Sequence, residues 1–170
     1  MNSDELVTRA TAIVAIVLYG ASVLVAEPRG PDLARRPEGG LSRNLWTAGC
    51  GMYLLHVACA FGLIHNWSHA AAYEDTARQT AEMTGWRWGG GLWINYAFTA
   101  VWCADAAWWW LWPARYQRQP KWTRLPVRGF LAFIVFQASV VFGSWPAQVV
   151  GGAVFAAITW RRARAARWLA

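Results

Sequence analysis

The fold is decided by residues 56–105, HVACAFGLIHNWSHAAAYEDTARQTAEMTGWRWGGGLWINYAFTAVWCAD. The stretch begins inside one apolar run and ends inside another. Each run has about the ~20 residues needed to cross the hydrocarbon core of a bilayer, and a polar, histidine-bearing passage joins them. All three histidines (His56, His65, His69) lie here, as does Asp105, the acid that interrupts an apolar segment.

The first of these runs is a span over Leu45–His65 with His56 in its middle, and the second is a span over Leu92–Trp112. Between them, Asn66–Thr84 has the pattern of an amphipathic helix. At a 3.6-residue period His65, His69, Tyr73, Thr76 and Thr80 share one stripe, while Glu74, Arg78, Gln79 and Glu82 face away, so one side rests on the membrane domain. Trp86-Arg87-Trp88 and the glycines 89–91 end that helix and allow a tight re-entry, tryptophan being a natural occupant of the membrane interface.

Further out, Ala10–Ala26 is a first span. A cleaved signal peptide fits it less well, because Asp4 and Glu5 stand where basic residues would precede the apolar core. The connection from Glu27 to Arg43 is rich in proline, glycine and arginine and is expected to be irregular. On the other side, Pro113 opens a basic connection with Arg115, Arg118, Lys121, Arg124 and Arg128. The last apolar region, Gly129–Trp160, is too long for one crossing and is broken at Gly143-Ser144-Trp145-Pro146. Two short helices over 129–142 and 147–160 return the arginine-rich tail to the side of the basic connections, whereas one crossing plus a surface helix leaves it opposite.

Composition agrees with a membrane domain. In 170 residues, 56% are hydrophobic, 14 are tryptophan and only 15% are charged, too apolar a balance for a soluble domain of this size. The formal charge of +7 sits in short flanks of apolar helices, the usual cytoplasmic signature of an inner-membrane protein. No groove-reading or base-stacking motif accompanies it, so nucleic acid is not the expected partner. Cys50, Cys59 and Cys103 fall in apolar segments without CxxC spacing and read as small buried residues. Four Lys and Arg residues in the first connection and five in the third, against one at the N-terminus and two in 66–91, put the N-terminus and the histidine helix outside.

Two constellations carry whatever chemistry the chain has. His65 and His69, one helical turn apart, could offer two imidazoles to copper or zinc, with a further ligand from Tyr73, Glu74 or Asp75, or from Asn95 on the next span. His56 and Asp105 lie at comparable depth if their helices are neighbours, and a carboxylate so deep demands a partner. Together with Trp102 on the same helix they form a candidate cofactor or proton-path contact. Haem with two axial histidines is disfavoured, since His56 and His65 project from opposite sides of a continuous helix.

The expectation is therefore an all-α polytopic transmembrane bundle of four or five spans, with a short amphipathic helix facing outward between spans 2 and 3. Its setting is the bacterial inner (plasma) membrane, its partners are the lipid bilayer and other membrane subunits, and its role is that of a non-catalytic subunit. A metal- or redox-linked membrane enzyme or carrier is the alternative.

Overall fold

The computed structural model describes residues 2–26 and 40–167, and those residues contain helices and no strands. Helix α1 spans Ser3–Val25, α2 Gly40–Cys59, α3 His69–Thr84, α4 Gly91–Leu111, α5 Pro113–Gln117, α6 Lys121–Phe136 and α7 Trp145–Arg167. Both α2 and α6 continue through a wider π-helical turn, Ala60–Ile64 and Gln137–Val141 respectively. Three helical stretches, 3–25, 40–64 and 121–141, are long and apolar enough to cross a membrane.

The helices are longer than the apolar runs that announced them. Asn2 caps α1 by accepting from the Glu5 N–H at 2.8 Å, so Asp4 and Glu5 form the first turn of the helix that was expected to start at Ala10. Acidic residues are favoured there by the orphan N–H groups and the helix dipole. The irregular connection expected over 27–43 is helical from Gly40 onward; its remainder, 27–39, lies outside the described residues. The region after Pro113 expected as a loop is mostly helix, because Pro113 starts α5 and Pro120 precedes α6, positions where a missing N–H costs nothing. The expected break at 143–146 is real and sits at 142–144, between two helices much longer than 129–142 and 147–160.

Helices α1, α2, α4, α6 and α7 pack as a ring in which each runs antiparallel to the next and α7 lies against α1, parallel to it. The core draws on every member: Ile16 and Tyr19, Trp46 and Cys50, Phe98, Trp102 and Trp109, Leu131 and Val135, with Val150, Val154 and Phe155 against it. Small residues let the backbones approach. A Cβ on Gly20 would lie 2.5 Å from the Val154 side chain, one on Gly151 2.4 Å from the Ser139 hydroxyl, and one on Gly49 3.2 Å from Trp102.

The up-and-down path sorts charge by end. One end gathers Arg43, Arg115, Arg118, Lys121, Arg124 and Arg128 with Arg161, Arg162, Arg164 and Arg167; the other holds Asp4, Glu5, Arg9 and all the charges of α3 and its return turn. Arg161 fastens the basic end by donating to the Val23 and Ala26 carbonyls at 3.3 and 3.0 Å, satisfying oxygens that the end of α1 leaves open.

Candidate functional site

Asp105 is buried in the basic half of the bundle, and its environment is built by the chain that follows α4. Trp112 ends that helix and Pro113 begins α5 at once, which turns Tyr116 back beneath α4. There its ring stacks on Trp109 with centroids 4.7 Å apart, and its hydroxyl donates to Asp105 Oδ2 at 2.9 Å. Arg128, two turns into α6, donates to the Tyr116 oxygen and stands 3.9 Å from Asp105 Oδ2. Its guanidinium also lies over the Trp46 ring, 4.1 Å from the centroid, a favourable placement for a desolvated cation. Burial, more than any charge, pushes the Tyr116 hydroxyl well above its ordinary value, with Asp105 adding to the rise and Arg128 opposing it. The phenol thus keeps its proton and bridges a cation and an anion.

His56 and Asp105 do not pair. His56 Nδ1 meets the Thr8 carbonyl of α1 at 2.9 Å, and because a carbonyl only accepts, Nδ1 carries the hydrogen. The reason is register. Cys50 opposes Cys103 and Tyr53 opposes Thr99, which puts Asp105 beside residues near 47 on α2. His56 is then about nine residues further along, some 13 Å by helix rise. Trp102 is fully buried among Tyr19, Trp46, Tyr53 and Phe98, with ring centroids 5.4–5.9 Å away. Among the described residues, the indole N–H groups of Trp46 and Trp102 have no hydrogen-bond partner.

His65 and His69 do not share a helix. Asn66 and Trp67 take positive φ of 49° and 60°, and α3 starts at His69, after Ser68, whose hydroxyl accepts from the Ala71 N–H, rather than at Asn66. His65 faces Asp75, Nε2 to Oδ2 4.0 Å, whereas His69 lies on Trp93 and Tyr96. Tyr73 packs on Gly89, where a Cβ would sit 2.6 Å from its ring, and Asn95 is exposed near the outer end of α4, on the helical side that further along carries Trp102 and Asp105. Among the described residues, no three His, Cys, Asp or Glu side chains gather as a metal site. The buried residues of α3, Ala72 and Ala77, flank the expected stripe, whose Thr76 and Thr80 are half-buried, and Glu74, Arg78, Gln79 and Glu82 are exposed as that stripe requires. Asp75 also accepts from Arg78 and Gln79, and Glu74 pairs with Arg87.

No protein-family model matches the chain, and no curated protein or solved structure is significantly similar to it.

Sequence reasoning missed Tyr116, Arg128, Thr8 and the meeting of Cys50 with Cys103. Arg128 left a trace: it lies three and seven residues before the buried Leu131 and Val135, on the core face of α6, where an arginine requires a counter-charge. Tyr116 left none, since its burial depends on the Pro113 restart. The assembled arrangement is a closed clasp in which one donor chain, Arg128 to Tyr116 to Asp105, ties α4, α5 and α6 and presses on Trp46 of α2.

Proposed function

We propose that the chain is a five-crossing protein of the bacterial inner membrane, with the basic end in the cytoplasm and α3 outside, serving as a non-catalytic helical subunit of a membrane assembly. Five crossings are supported by the length of α4, 21 residues with Asp105 as its one charge, or about 31 Å of rise. They are supported too by α7, whose uncharged part, Trp145–Trp160, is followed by arginines able to snorkel to the interface. Exposed tryptophans mark both ends of the bundle, Trp67, Trp86 and Trp145 at one and Trp110, Trp112 and Trp122 at the other, as interfacial belts do.

The observation that carries the subunit reading is the filled axis. Tyr19, Trp46, Tyr53, Phe98 and Trp102 interlock across α1, α2 and α4, and Asp105 is tied within the clasp. An interior so packed favours a role played through the outer surface. In native gels of membranes solubilised in a mild detergent, the tagged full-length protein is expected to migrate with other polypeptides as an assembly well above its 19.0 kDa mass. Migration as a lone chain in its detergent micelle would refute the reading.

A further inference from the structure

Cys50 of α2 and Cys103 of α4 bring their Sγ atoms to 3.7 Å, contact distance for sulfur, and both are free thiols. Each lies at least roughly 12 Å from either end of its helix at 1.5 Å per residue. Cys50 is buried and Cys103 half-buried. Cys59, nine residues beyond Cys50, projects from the opposite side of α2 and cannot join them. A disulfide needs the sulfurs about 1.7 Å closer, a change that two side-chain rotations can share. Gly49, beside Cys50, packs against the ring of Trp102, the residue before Cys103.

We propose that Cys50 and Cys103 are a reversible dithiol–disulfide pair, oxidised by a lipid-soluble quinone, whose disulfide locks α2 to α4. Both S–H bonds break and one S–S bond forms. The two electrons and two protons pass to the quinone, whose carbonyl oxygens become the hydroxyls of the hydroquinone; a dithiol reductant reverses the change. A quinone is the fitting class because exchange with an aqueous disulfide needs a thiolate, which an apolar interior disfavours, and because charged oxidants do not enter the acyl region. The pairing stands on the sulfur contact alone. The choice of oxidant rests on the membrane placement proposed above, which topology labelling tests separately.

The test uses the full chain in lipid nanodiscs, treated either with tetramethyl-1,4-benzoquinone, whose fully substituted ring resists thiol addition, or with oxidised glutathione. With the quinone, the intact mass should fall by two hydrogen atoms and peptide mapping should find Cys50 joined to Cys103. The melting temperature should rise, a reductant should restore all three thiols, and glutathione should leave them free. Cys59→Ser should behave as wild type, while Cys103→Ser should lose the mass change. Three titratable thiols after quinone treatment, a bridge through Cys59 or between molecules, or equal oxidation by glutathione would each overturn the proposal.

Discussion

At the residue scale, Arg128 and Asp105 illustrate how much of an ion pair's value lies in not breaking it. Leaving the carboxylate without its guanidinium strands a charge in a poor solvent, at a cost of about 3–5 kcal/mol. Amidation removes the charge and keeps an acceptor for Tyr116. Arg128→Met should therefore destabilise the protein in detergent more than Asp105→Asn, and the double variant should be milder than the sum, with a coupling of about 1–3 kcal/mol. Additive losses in thermal melts would show that the two side chains do not act together. Tyr116 adds a pH signature. Its folded-state pKa is raised, so its contribution is complete below the unfolded phenol value near pH ~10 and is lost as pH climbs toward the folded one, because the unfolded state gives up its proton first. The alkaline fall in melting temperature should be shallower in Tyr116→Phe; an unchanged slope would remove Tyr116 from the account. Asp105 was legible in the sequence because an acid in an apolar run is rare. Its partners were not, since the sliding of α4 along α2 decides who meets it, and no local pattern encodes that offset.

At the scale of elements, hydropathy marks the slab a helix crosses and says little about where the helix ends. The five long helices were visible as apolar runs, yet α1, α6 and α7 extend seven or more residues past them into charged sequence, where Asn2, Pro120 and the arginines suit helix termini. The break between His65 and His69 was hidden because Asn66, which tolerates a left-handed backbone, does not require one, and Trp67 gives no sign of it. Close packing was legible only as scattered glycines. Gly20 is a testable case between α1 and α7, for any Cβ meets the stiff Val154 side chain. Gly20→Leu should cost about 1–3 kcal/mol or more through overpacking and be largely recovered by Val154→Ala. Gly51→Ala, with nothing within 4 Å of the new Cβ, should be neutral or slightly stabilising. Equal effects at the two glycines would mean that α1 and α7 do not touch there.

For the whole molecule, the separation of cations from the acidic α3 end organises everything else, because an odd number of antiparallel helices places the N-terminus and the basic tail at opposite ends. In the proposed membrane placement, the positive-inside tendency assigns the basic end to the cytoplasm. Single cysteines at Gln79 in α3, Arg118 after α5 and Arg164 in α7, in a chain whose native cysteines are replaced by serine, report the three positions that matter. With an impermeant thiol reagent on intact cells, Gln79→Cys should label, whereas Arg118→Cys and Arg164→Cys should label only once the membrane is opened. Labelling of Arg164→Cys in intact cells would contradict five crossings, and labelling of Arg118→Cys there would contradict the orientation.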